Sequence, residues 1–161
     1  MIISVDLREK LPFTFTDFSD VTLQKARLET GDYSLPGLQN KVCVERKSIN
    51  DLALCLGRDR NRFFAELARA RGIPAFVVVV ESPFSDLESG RYKSMLNAKS
   101  AAASVIAVMC RWSIQFHFAS DRDAAERFTY NYLRLYAEGQ RKELLAVQRA
   151  LTSPGQALSA R

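Results

Sequence analysis

A chain of 161 residues with a formal charge of +5 is long enough to bury its own core and basic enough to favour anionic partners, nucleic acid among them. A hydrophobic share of 47% against 25% charged excludes a disordered or collagen-like chain. Cys43, Cys55 and Cys110 are odd in number, scattered and set in apolar runs, which excludes a disulfide framework or a zinc site and predicts buried thiols in a reducing compartment. Residues 1–5 run straight into Asp6, Arg8 and Glu9 without a signal-peptide pattern, and the apolar runs at 75–80 and 101–110 are too short to cross a bilayer. A soluble protein without a membrane partner is therefore expected. Its expected location is the cytoplasm if bacterial or phage-encoded, and the nucleus if eukaryotic.

In chain order, residues 2–6 read as a short buried strand ending at an acid, and 21–28 as a second β-rich segment running into Gly31. Residues 33–35 begin a strand that turns at Pro36-Gly37 and returns over 42–47 as a hairpin. Strict alternation in the return strand sets Cys43, Glu45 and Lys47 on one face and Val42, Val44 and Arg46 on the other. Ser48 and Asp51 form a capping-box-like start to a helix that ends near Leu56 and Gly57. A second helix is predicted over 61–71, followed by an apolar central strand at 75–80. Residues 82–93 read as a loop, 94–112 as a helix, and 113–118 as a strand with Ile114, Phe116 and Phe118 on one face. Gly139 is expected to separate a helix over 124–138 from another over 140–151. A single domain over 1–151 and a disordered tail over 152–161 complete the expectation.

Asp6, Asp32 and Glu45 fall at strand ends or turns, with Lys47 two residues beyond Glu45. Phosphodiester hydrolysis uses a hard cation held by carboxylate oxygens, and a hairpin that sets residue 32 across from 45 brings two carboxylates and a lysine to one edge. Taken separately, Gly31-Asp32 is an ordinary turn and Glu45-Arg46-Lys47 an ordinary charged strand end. The combined spacing favours a site.

The wording GDYSL, then VERKSINDL after a short turn, resembles the GD...ERKxxxD motif of the XPF-type structure-specific nucleases. Upstream VDLRE, with Asp6 and Glu9, and downstream GRDRNRF, with Arg58 and Arg62, are similar to that family's flanking segments, so the resemblance covers roughly residues 2–80. It implies an α/β fold of the PD-(D/E)xK superfamily, a restriction-endonuclease-like central mixed β-sheet flanked by helices. It also implies cutting of branched DNA, or of DNA with single-stranded regions, with Mg²⁺ or Mn²⁺. Carried onto this chain, it makes Asp32, Glu45 and the backbone carbonyl of Arg46 the metal ligands, and Lys47 the residue acting on the attacking water. Asp6 and Asp51 become supporting acids, and Arg8, Arg46, Arg58 and Arg62 phosphate contacts or partners behind the ligands. Family members also carry a tandem helix-hairpin-helix module, for which this chain has no expected room. They pair through the nuclease domain as well. A homodimer or heterodimer would here use the late helices, around Phe128, Tyr130, Tyr132 and Tyr136.

Simpler readings stand beside these. Asp51 is equally explained as a capping residue, Asp6 as a strand-end acid paired with Arg8, and Arg58 and Arg62 as a solvated helix start. His117, between two phenylalanines, reads as structural. Two other functions fit the same residues: a non-cutting DNA-binding module of this fold, and a sequence-specific PD-(D/E)xK nuclease.

Overall fold

The computed structural model describes residues 1–152. Six strands form one mixed sheet in the order β2-β1-β3-β4-β5-β6, with β1 at Ile2–Asp6, β2 at Thr22–Ala26, β3 at Tyr33–Ser34, β4 at Val42–Lys47, β5 at Ala75–Val80 and β6 at Gln115–Phe118. The expected hairpin is the antiparallel pair β3–β4, with Tyr33 opposite Val44. Strands β4, β5 and β6 run parallel, which buries β5 between neighbours and explains why it is apolar on both faces.

Alternation along β4 divides the core in two. Cys43, with Val78 and Val80 of β5, packs under α1 (Ile49–Leu56), α2 (Arg60–Ala70), α3 (Phe84–Glu88) and α4 (Ala98–Trp112). Val42 and Val44, with Val77 and Val79, pack on the other face beneath α5 (Arg122–Thr152) and the segment carrying Phe13 and Phe15. The predicted mixed sheet flanked by helices is thus observed. Among the described residues, no helix is long and apolar enough to cross a membrane.

Several boundaries differ from the sequence reading for local reasons. The helix expected from residue 94 starts at Ala98, because the Asn97 side chain caps it by accepting from the Ser100 amide at 3.2 Å. The expected loop over 82–93 contains α3, held by the buried Leu87 and by Phe84, whose ring meets Phe118 edge-on at 4.9 Å. Cys43 and Cys55 are buried as expected, but Cys110 is exposed on α4. Phe128, Tyr130, Tyr132 and Tyr136 are half-buried against the core, and the exposed apolar residues of α5 are Leu135, Leu144, Leu145, Val147 and Leu151. His117 stacks on Phe128 with ring centroids 3.6 Å apart, a packing role. The expected tail lies outside the described residues except for Thr152, which closes α5.

Gly139 does not break the chain: α5 runs through it as one helix of 31 residues. A single interior glycine costs only about 1 kcal/mol relative to alanine, and the flanking helix formers on both sides outweigh it. A Cβ built at Gly139 meets nothing within 4 Å. Gly139→Ala is therefore expected to stabilise the protein by about 0.5–1 kcal/mol, raising Tm by roughly 1–4 °C in a thermal melt. An unchanged or lowered Tm would contradict a continuous α5.

Candidate active site

The site is assembled at one end of the β3–β4 hairpin, and its geometry begins at Gly31. This residue has φ +84°, a conformation that a side chain disfavours, and a Cβ there would lie 3.1 Å from Cys43 Cβ and 3.2 Å from the Val44 carbonyl oxygen. Glycine lets the chain pass this close to β4, and the next residue extends the pairing. The Asp32 amide donates to the Val44 carbonyl at 2.8 Å, and the Asp32 carbonyl accepts from the Asp6 amide at 2.9 Å. One Asp32 carboxylate oxygen, Oδ2, accepts from the Arg46 amide at 2.8 Å. Asp32 is thus fixed to both neighbouring strands before any ligand is considered.

Glu45 is buried and its Oε1 accepts from the Lys47 ammonium two residues along the same strand face. Lys47 in turn lies over the Phe63 ring of α2 at 5.6 Å. The Val44 carbonyl faces Asp32 and the Lys47 carbonyl accepts from Glu81 on the opposite side. Because strand carbonyls alternate, that of Arg46 points to the Asp32 side. Asp32, Glu45 and this carbonyl therefore share an edge.

Burial pushes the Asp32 carboxyl up to about 6, with Glu9 and Glu66 adding repulsion and Lys47 and the Arg46 amide opposing it. Glu45 is raised well above the usual carboxylate range, first by burial and then by Asp32. Burial alone would lower Lys47, but Glu45, Glu66 and Asp32 raise it, so it keeps its proton. Two buried carboxylates facing one ammonium leave a deficit of positive charge. The wider cleft, about 560 Å³, repeats the pattern: Asp6, Glu9, Asp32, Asp51, Asp59 and Glu66 line it, against Arg8, Lys10, Arg46, Lys47 and Arg62.

Not all of these cations are available to a ligand. The Arg46 guanidinium is only 9% exposed and sits between Glu9, at 3.4 Å, and Glu81, at 2.9 Å. Glu81 is also held by Arg122 at 2.5 Å, and Arg122 donates to the Leu11 and Pro12 carbonyls. This chain of ions pins β4 to the start of α5. The Arg46 guanidinium thereby braces the strand, and Arg46 also lines the cleft. Asp6 is similarly committed, because its carboxylate accepts from the Arg8 amide, the Arg8 guanidinium and the Leu28 amide at 2.7–3.2 Å. Burial would raise its pKa, but the Arg8 guanidinium and those amides outweigh this and hold it below the ordinary value.

The remaining predicted residues lie toward solvent. Asp51 lines the cleft from the first turn of α1 while its Oδ2 accepts from the Ser48 hydroxyl at 2.7 Å, so it occupies both the capping and the cleft position. Arg62 lines the cleft with its side chain 81% exposed, whereas Arg58, 75% exposed, is not among the lining residues. Glu66, one turn beyond Arg62 on α2, is a cleft residue that the sequence reading missed. Its only sequence signal is the four-residue spacing from Arg62.

Metal fit follows from the donor set. Two carboxylates and a carbonyl are hard oxygen donors suited to a divalent cation such as Mg²⁺, and the charge deficit favours one. Among the described residues, no three His, Cys, Asp or Glu side chains converge as a complete cage, so water or substrate would supply the other ligands.

The raised acids predict a stability–pH relation. A carboxyl raised to about 6 from 3.8 takes up a proton more readily in the native chain than in the unfolded one. Its contribution is fully present below about pH 3.8 and is lost as pH rises through about 6. Asp32→Asn keeps an acceptor for the Arg46 amide and removes the charge. In metal-free buffer its Tm should match the native value near pH 4 and exceed it by roughly 3–8 °C at pH 8. A lower Tm than native at pH 8 would contradict the charge deficit.

A family model described as ERCC4 domain matches residues 5–132. No curated protein matches the chain. Among solved structures, XPF from Aeropyrum pernix aligns with a TM-score of 0.68 and 21% identity, covering 96% of this chain and 76% of that one. The same protein in complex with DNA aligns at 0.66, with the same identity and coverage. These structural likenesses establish a shared fold.

Proposed function

Because the chain belongs to the ERCC4 domain family, a family of DNA nucleases, we propose that it is a divalent-metal-dependent DNA endonuclease. Its proposed ligands are Asp32, Glu45 and the Arg46 carbonyl, and Mg²⁺ or Mn²⁺ its cation. The observation that carries the reading is the acidic interior of a cleft in a basic protein: a phosphate entering beside Asp32, with Glu45 buried behind the lining, is repelled unless a cation accompanies it. When bound, such a cation polarises the phosphate and lowers the pKa of water.

The chain's own residues supply the rest. The Arg46 amide orients one Asp32 oxygen, leaving the other directed to the cleft. Lys47, half-buried and held positive, offers a fixed charge to the oxygens that gain charge during displacement, and it orients the attacking water. In this role Lys47 acts as a charge and a donor. Arg8 and Arg62, at the rim, are proposed phosphate contacts, while Asp51 supports the ligands from α1. Arg58 is assigned to the same strand's approach, from outside the cleft.

A branched substrate, or one with single-stranded regions, is proposed from the motif and from the likeness to an XPF structure solved with DNA. Roles in repair, recombination or genome processing follow from that substrate. A dimer contact is assigned to the exposed apolar residues of α5, since the aromatics first considered for it are half-buried.

End-labelled flap, splayed-arm, nicked and plain duplex DNA, each incubated with Mg²⁺, Mn²⁺ or EDTA, tests the proposal. Cutting should require metal and favour the branched forms. Asp32→Ala and Lys47→Ala should each lower the rate at least about 10²-fold while preserving the fold by circular dichroism. Metal-independent binding with no cutting would favour the DNA-binding module instead. Discrete cuts at one duplex sequence would favour the sequence-specific nuclease.

A further inference from the structure

A second cavity, about 690 Å³, lies beyond the catalytic cleft and is lined by Arg27, Thr30, Gln39, Asn40 and Arg69, with Glu29 its one acidic lining residue. Both arginines are exposed, and neither guanidinium makes a hydrogen bond or an ion pair with a described residue. This separates them from Arg46, Arg8 and Arg122, whose side chains are engaged by the protein itself. Neighbouring stretches of chain line the two cavities. Gly31 and Asp32 line the first, and Glu29 and Thr30, immediately before them, line the second. On the opposite wall, Arg62 and Glu66 of α2 line the first and Arg69 lines the second.

Residues 62, 66 and 69 are spaced four and three apart, so they lie on one face of α2. The two cavities therefore lie along the same face of α2, the first beside Lys47 and the second toward the tip of the β3–β4 hairpin. Seven residues of helix separate Arg62 from Arg69, a rise of about 10 Å. At about 3.4 Å of rise per nucleotide, that spans roughly three phosphates of one strand.

We infer that Arg27 and Arg69 form a phosphate-binding subsite for one DNA strand, a few nucleotides from the bond being cut, with Gln39 and Asn40 as neutral donors beside them. The inference rests on the nuclease reading for which strand it holds, but not for whether it holds one. Guanidinium groups free of internal partners suit phosphate oxygens, since each offers a bidentate fork without first breaking an ion pair. The subsite also adds positive charge at a distance from the acidic centre.

The test is binding of a fluorescein-labelled 20-nucleotide strand, alone and as a duplex, to the full chain in EDTA over a range of salt. Arg27→Gln/Arg69→Gln is compared with Lys99→Gln/Arg111→Gln, which removes the same charge from exposed positions on α4 that line neither cavity. For two lost phosphate contacts, the slope of log K against log salt should fall by about 1.4–1.8 in the first variant and stay near the native value in the second. Equal slopes in native and first variant would overturn the subsite and leave the nuclease reading intact, as would an equal fall in both variants. A reduced slope in the first variant alone, from a protein that never cuts, would support the subsite and defeat the nuclease reading. Absence of DNA binding by the native protein would overturn both.

Discussion

The close pairing of Asp32 with β4 is the contact on which the candidate site depends. Gly31 permits it, the Val44 carbonyl fixes its register, and the Arg46 amide sets the direction of the carboxylate. A slip of one residue in β4 would turn Glu45 and Lys47 to the opposite face of the sheet, beneath α5, and bury Arg46 and Val44 under α1 and α2. Register is held against this by the core itself, since Val42 and Val44 are fully buried on one face and Cys43 on the other. The parallel pairing of β4 with β5 runs the whole length of both strands and reinforces it.

Charge is distributed in two layers that do opposite work. The surface carries the excess of lysine and arginine that attracts a polyanion over a distance set by ionic strength. Inside the cleft, the buried acids reverse the sign. Burying Asp32 and Glu45 together disfavours their charged forms and raises both, which costs folding stability once they ionise. The ion chain Glu9–Arg46–Glu81–Arg122 is a separate arrangement that closes on itself. It joins the segment after β1, the middle strands and the start of α5, so the second layer of helix is coupled to the strand bearing Glu45 and Lys47.

Much of this was legible in the sequence because the decisive signals are local. Alternation over residues 42–47 placed Glu45 beside Lys47, and Pro36-Gly37 announced the hairpin that brings Asp32 to them. Ser48 and Asp51 marked the following helix, and its cap is formed by those two side chains. What escaped depends on contacts between distant positions. Nothing near Arg46 indicated that its guanidinium would pair with Glu9 and Glu81, 37 and 35 residues away. Glu66 carried no signal beyond its spacing from Arg62, and it lines the cleft because the fold sets α2 along it. Gly139 was a strong local punctuation mark overruled by the helix formers around it, and α3 was hidden by Pro83 and its short length.

Calorimetric titration of Mn²⁺ into the metal-free protein, in two buffers of different ionisation enthalpy at pH 6, tests the claim that the buried acids are built for a cation. One ion should bind per chain with release of a substantial fraction of a proton, because burial raises Asp32 to about 6 and raises Glu45 as well; both binding and release should be lost in Glu45→Gln. Binding of equal affinity in Glu45→Gln, or no binding to the native protein, would contradict the account.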